Sequence, residues 1–216
     1  MSAGRGKPLP RAFYDRSALI VARELLGARL VRMAEGIRLS GTIIETEAYL
    51  GEEDLGCHAK AGRTARTRTL YGPPGHAYVY FTYGMHWLLN AVTGAIDSPA
   101  AVLIRAIQPV EGIDEMSARR AGRGTDGPAK VTQAMQIGGA ENGIDLTGKD
   151  AGLWIEPGVP VHARRVKTGP RIGLDNVPEP WRSMPWRFLA SADTARRARS
   201  RRRASKDGGG QPRRMQ

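Results

Sequence analysis

The chain has one cysteine, Cys57, among its 216 residues, which excludes an internal disulfide and a thiolate zinc centre. Its four histidines, His58, His76, His86 and His162, show no HxxxH or HxH spacing, so neither a metal centre nor a cofactor is expected. No apolar run approaches the roughly 20 residues of a membrane span. Met1 to Lys7 lacks the apolar stretch of a secretory signal, so a soluble, intracellular protein without a membrane partner is expected. Internal repeats are absent too. The length suits one domain with tails, large enough to bury a real core.

Acidic residues are few, 21 against 33 lysines and arginines, for a formal net charge of +12. An excess of this size suggests a polyanionic partner. The charge is unevenly placed: Arg196 to Arg214 holds eight arginines and one lysine against Asp207. That leaves the preceding body with a mild excess. Residues 1–11 read as a flexible basic lead-in, 12–195 as the folded domain and 196–216 as a disordered basic tail. The tail would supply salt-sensitive attraction to phosphates or serve solubility alone.

What is present is a β-rich run with misplaced acids, Ile43-Ile44-Glu45-Thr46-Glu47-Ala48-Tyr49-Leu50-Gly51. Strand alternation places Ile43, Glu45, Glu47 and Tyr49 on one side, and Thr42, Ile44, Thr46 and Ala48 on the other. A carboxylate buried beside an aromatic costs several kcal/mol unless compensated, so this strand is a wet sheet edge or part of a site. Upstream, Asp15 reads as the cap of a helix to Leu26 that Gly27 stops. Leu30 to Met33, the turn Ala34-Glu35-Gly36 and the run from Ile37 read as a hairpin.

Residues 62–75 show no periodicity and read as loop. Two aromatic, β-branched arms follow, Ala77 to Thr82 and His86 to Val92, joined at Tyr83-Gly84-Met85. A hairpin with Tyr and Met at its tip puts apolar surface into water, and such surface calls for a partner. Ala101 to Ile107 is an apolar strand carrying Arg105, for which Glu45 and Glu47 are the candidate counter-charges. A short basic helix is expected from Gly112 to Ala121, and a second over Ala129 to Ile137, with Pro128 at its first turn and Gly138-Gly139 stopping it. The remainder reads as short strands between Pro/Gly loops, without visible chemistry.

Collected, these blocks hold an acid, flat aromatic surfaces, a probing hairpin and an arginine, the parts needed to act on a base drawn out of a duplex. Glu45-Thr46-Glu47-Ala48-Tyr49-Leu50-Gly51 with Asp54 and His58, Tyr78-Val79-Tyr80 with Tyr83-Gly84-Met85 and Asn90, Val102 to Ala106 with Pro109, Glu111 and Gly112, and Gly127 to Lys130 occur in that order. In this the chain resembles the alkyladenine (3-methyladenine) DNA glycosylase family.

The resemblance implies a single α/β domain of the α+β type: a curved antiparallel sheet, surrounding helices and a β-hairpin that probes DNA. It implies Glu47 as the general base for the attacking water and Arg105 as the residue that helps hold it. Tyr49 and Tyr80 would sandwich the flipped base, with His58 and Asn90 lining its pocket. Tyr83, with Met85 beside it, would fill the vacated place in the stack. The implied partner is double-stranded DNA containing alkylated or deaminated purines, met by a monomer. No lysine lies in these motifs, which argues against a Schiff base and for a monofunctional hydrolase. A non-catalytic module that recognises distorted DNA or RNA is the alternative.

Overall fold

The structure is a computed structural model describing residues 6–191; the basic tail from Arg196 lies outside the described residues. Its frame is β2 (Ile37–Tyr49), 13 residues long. One edge of β2 pairs antiparallel with β5 (Ala100–Glu111). The other edge is shared: β1 (Arg29–Ala34) takes residues 37–42, and β8 (Arg187–Ala190) takes residues 45–47. With β3 (Ala77–Thr82), β4 (His86–Thr93), β6 (Leu153–Glu156) and β7 (Val166–Gly169) these form one eight-stranded sheet, ordered β3-β4-β5-β2-β1-β6, with β8 on β2 and β7 on β8. The sheet is antiparallel and strongly curled, like half a barrel, and belongs to one mixed α/β domain.

A period of two assigns the faces. Ala77 and Val79 of β3, Leu89 and Ala91 of β4, and Val102 and Ile104 of β5 enter the main core. Helices α2 (Ala18–Glu24) and α4 (Pro128–Met135) pack against the sheet and supply Val21, Ala22, Val131 and Met135 to that core. The alternate residues point the other way. Tyr78, Val92 and Ala101 join Cys57, Ala59, Leu70 and Tyr71 in a second cluster, with Tyr49 and Tyr80 against it. Residues 51–75 thus cover part of the second face with turns and two short 3-10 segments, His58–Ala61 and Arg68–Tyr71.

In β2 the alternation does not run unbroken as the sequence suggested. Ile43 is in the core with Ala48, and Thr46 is fully buried with its hydroxyl donating to the Ala22 carbonyl at 2.7 Å. The cause is a bulge: the register with β5 shifts between Ile43 and Glu45 and again before Thr46. The inserted residue reverses the parity. Ile43 therefore does not share a side with Glu47 and Tyr49.

Several boundaries also differ. The predicted helix from Asp15 is two pieces, α1 (Arg11–Tyr14) and α2, with Asp15 closing the first and Ser17 opening the second. The break lets Tyr14 bury completely while Arg16 turns back to donate to the Phe13 carbonyl. Strand β5 continues past Ile107 to Glu111, and Pro109, which has no N–H to offer a ladder, sits opposite Gly41 beside an irregularity in pairing. α3 (Ile113–Arg119) falls within the basic stretch. α4 stops at Met135, because Gln136 takes a left-handed conformation (φ 53°) and the Ile137 N–H returns to the Thr132 carbonyl at 2.9 Å.

Gly27 ends the α2 segment at φ +88°, and a Cβ there would lie 2.0 Å from the Val159 carbonyl oxygen. Backbone faces backbone at this point, so no side-chain rotation relieves the clash. Gly27→Ala is expected to lose about 2–3 kcal/mol of stability, measured as a shift of the urea midpoint at unchanged slope.

Candidate active site

A cavity of about 330 Å³ opens on the second face of the sheet, lined by residues that include Tyr49, His58, Tyr80, Tyr83, Asn90 and Arg105. Its size is that of a small-molecule site, roughly 300–1,000 Å³. Alternation explains the lining. Tyr78 and Tyr80 come from β3, Leu88 and Asn90 from β4, and Leu103 and Arg105 from β5. Ile172, Gly173 and Leu174, from the loop after β7, complete it.

Glu47 lies beneath this lining with no exposed surface. Three neighbours at the cavity hold it. Its Oε1 accepts from the Ile172 N–H at 2.8 Å and lies 3.3 Å from Nη1 of Arg105. Its Oε2 accepts from the Tyr49 hydroxyl at 2.9 Å. A carboxylate has about four acceptor positions, so these partners leave one. Burial pushes the Glu47 carboxyl above its ordinary value, against the lowering influence of Arg105, the Ile172 amide and the Tyr49 hydroxyl. The result is a carboxylate more basic than a free one, fixed in place.

Arg105 bridges both acids of β2. Its Nε donates to Oε1 of Glu45 at 3.0 Å while Nη1 faces Glu47. Glu45 also accepts from Nη1 of Arg187 at 3.1 Å. Two carboxylates and two guanidiniums therefore balance, which is how this much charge is tolerated where Arg105 is only 8% exposed.

The aromatic side is equally ordered. Nδ1 of His58 lies 3.0 Å from the Tyr78 hydroxyl, and its ring meets Tyr80 edge-on at 4.4 Å. Burial, then Arg66 and Lys60, lower the His58 pKa to about 4, so the ring is neutral at pH 7. Nδ2 of Asn90 donates to the Tyr78 carbonyl across the β3–β4 pair at 3.1 Å, which holds the amide rigid.

Tyr83 and Met85 occupy a different place. They form the tip between β3 and β4, with Tyr83 at φ 51° and Gly84 at φ 65° closing a three-residue turn. Tyr83 is 82% exposed and Met85 68%. Tyr83 also reaches the cavity lining, so the tip stands beside the cavity mouth.

The 170–174 loop, which carries no chemical signature in the sequence, supplies two contributions. One is the Ile172 amide. The other is Arg171, whose side chain is wholly buried: it grips Asp54 through both nitrogens at 2.5 and 2.8 Å, donates to the Ala48 carbonyl, and lies 4.6 Å from the Tyr49 ring centre. A backbone donor cannot be read from a sequence. A lone arginine between Pro170 and Ile172-Gly173 looks like any surface loop residue.

Residues 12–194 match the Methylpurine-DNA glycosylase (MPG) family. The chain belongs to this family. A protein of Carboxydothermus hydrogenoformans named "Putative 3-methyladenine DNA glycosylase" is 48% identical over 184 residues, covering 83% of this chain and 93% of the relative. Proteins of the same name from Myxococcus xanthus (48% over 180 residues, 83% and 88% covered) and Burkholderia lata (44% over 199 residues, 89% and 95% covered) are similarly close. Membership makes the chain a monofunctional DNA glycosylase of alkylation repair, with DNA as its partner. Among the described residues no helix is long and apolar enough to cross a membrane.

The Asp54–Arg171 pair lends itself to a direct test. Asp54 also accepts the Leu50 and Gly56 N–H groups, so Asp54→Ala orphans a buried guanidinium and two amides. A loss of about 3–5 kcal/mol in chemical denaturation is expected.

Proposed function

We propose that the protein draws alkylated or deaminated purines out of double-stranded DNA and hydrolyses the N-glycosidic bond with water activated by Glu47, leaving an abasic site. The observation that carries this reading is the state of Glu47: a fully buried carboxylate, its pKa raised, fixed by Ile172, Arg105 and Tyr49, all three of which line the cavity of about 330 Å³. Its three partners leave the carboxylate one acceptor position, which the attacking water would take.

The remaining roles follow from position. Arg105 holds the carboxylate oriented and helps hold the water beside it. Tyr49 and Tyr80 sandwich the purine, and a ring made positive by alkylation gains about 0.5–2 kcal/mol from an aromatic face. Neutral His58 offers a hydrogen bond to the lesion or its sugar-phosphate without adding repulsive charge. Asn90, held by its bond to Tyr78, crowds the extra amino group of ordinary guanine. Tyr83 enters the duplex from the exposed hairpin tip with Met85 beside it, filling the gap in the stack. Residues 12–195 act as one catalytic unit, working as a monomer, and the basic tail adds salt-sensitive DNA affinity.

Glu47→Gln should keep lesion-duplex binding while reducing base release at least about 100-fold, scored under single-turnover conditions by alkaline cleavage of the abasic product. Undiminished release by this variant excludes Glu47 as the base. Because the base must be ionised, the wild-type rate should fall as pH drops through the raised Glu47 pKa. The acid limb is therefore expected above the ordinary carboxyl value of 4.5, with no step from His58, which stays neutral down to about pH 4. Tyr83→Ala should weaken lesion binding about tenfold or more, read by equilibrium titration, with the fold unchanged.

A further inference from the structure

The loop that reaches Glu47 starts from a glycine. Strand β7 ends at Gly169, paired with Arg187 of β8, and Pro170 follows with no N–H to bond. Gly173, at φ +82°, frees the far side as well. Between them Asp54 grips the Arg171 side chain, but a side-chain grip alone leaves the backbone free to pivot about it. Arg187 supplies a second hold: its Nε donates to the Pro170 carbonyl at 2.9 Å while its Nη1 donates to Oε1 of Glu45 at 3.1 Å. That same oxygen accepts from Nε of Arg105. The contacts close a ring, running from Glu47 to Arg105, Glu45, Arg187 and Pro170, then along the chain and back to Glu47 by the Ile172 amide.

We propose that Arg187 is a positioning residue for the reaction: anchored on Glu45, it holds the Pro170 carbonyl so that the Ile172 amide stays aimed at Glu47. The inference rests on the Glu47-activated hydrolysis above. A guanidinium is a planar fork whose N–H directions are fixed relative to one another, so pinning Nη1 on Glu45 sets where Nε points. Arg187 stands directly across from Glu47 in the β2–β8 pairing, and with its side chain 24% exposed it is shielded enough for a charge-assisted bond to Glu45 to persist. With the preceding carbonyl and the Arg171 side chain both held, the amide keeps its 2.8 Å bond to Oε1. A carboxylate oriented in this way keeps its remaining acceptor position aimed at one place.

The charges around Glu47 give this role a sign. Glu45 and Tyr49 stand on β2 itself, Arg105 on β5, Tyr80 on β3, Arg187 on β8, and Arg171 in the loop with its charge taken up by Asp54. The Ile172 amide lowers the Glu47 pKa against burial, and Glu45 raises it. Loss of Arg187 weakens the first influence and leaves the second less neutralised. Both changes raise the Glu47 pKa, so the acid limb of the rate moves to higher pH. Lysine separates the tether from the charge: it keeps a cation beside Glu45 but has no fork with which to hold Pro170 as well.

The test compares wild-type protein, Arg187→Lys and Arg187→Gln on a duplex carrying one 7-methylguanine, in single-turnover titrations across the acid limb and the plateau, with chemical denaturation alongside. Both variants should release the base about tenfold more slowly at the plateau, with half-saturation within about twofold of wild type and the acid limb at higher pH. A wild-type rate and limb in Arg187→Lys make the residue a charge only and overturn the proposal. So does a slowed variant whose limb has not moved, the mark of lost stability alone, or a raised half-saturation at unchanged maximal rate, the mark of a phosphate contact. Should Arg187→Gln fail to fold, Arg187→Lys decides by itself. Wild-type protein without an acid limb overturns Glu47 as the base and this inference with it. A wild-type limb above the ordinary carboxyl value that stays in place in both variants removes the role of Arg187 alone.

Discussion

A carboxylate without exposed surface, Glu47, is the constraint around which the structure is arranged. Taking such a group out of water costs several kcal/mol, and the cost stands unless donors and counter-charge meet it in the interior. They arrive from three separate parts of the chain. Arg105 comes from the strand paired along β2, Ile172 from the loop after β7, and Tyr49 from two residues further along β2 itself. Each of the three also lines the cavity. Satisfying the acid and forming the floor of the pocket are therefore the same structural act.

A second buried pair makes that arrangement rigid. Asp54 and Arg171 are both closed to solvent, and their bond joins the turn after β2 to the loop after β7. Arg171 sits against one face of Tyr49 and, 4.9 Å away, against Trp186. With Ile172 next in sequence, the grip on Asp54 also sets the amide that reaches Glu47. Removing one partner of such a pair is far costlier than the pair is stabilising, so its contribution is to geometry.

The curled sheet divides labour between its faces. The helix-covered face holds Val102, Ile104, Leu89 and Val79, and carries the hydrophobic stabilisation. The neighbouring residues in the same strands, Arg105, Asn90 and Tyr80, face the cavity. The bulge at Ile44-Glu45 lets β2 serve both ends of its length, with Ile43 packed under α2 and Glu47 and Tyr49 turned to the site. The cavity thus takes every second position of a scaffold whose other positions keep it folded.

Much of this was legible in the residues. The β1–β2 hairpin, the Tyr83-Gly84-Met85 tip, the strand carrying Arg105 and the proline opening α4 all followed from periodicity, turn chemistry and the missing N–H of proline. Glu45 and Glu47 were evident as partners for Arg105, because a buried guanidinium admits few others. The curvature of the sheet and the assignment of roles to single residues came from the resemblance of ordered motifs. Local pattern does not encode them.

The sequence by itself determined the element types, the acid-rich strand, the exposed aromatic tip and the family, since these depend on side-chain chemistry and short-range spacing. Tertiary structure alone decided which face each acid takes, because one inserted residue reverses the parity of a strand. It also decided that Ile172 and Arg171 belong to the site, since a backbone amide has no letter and a loop arginine acquires its meaning only from what it is buried against.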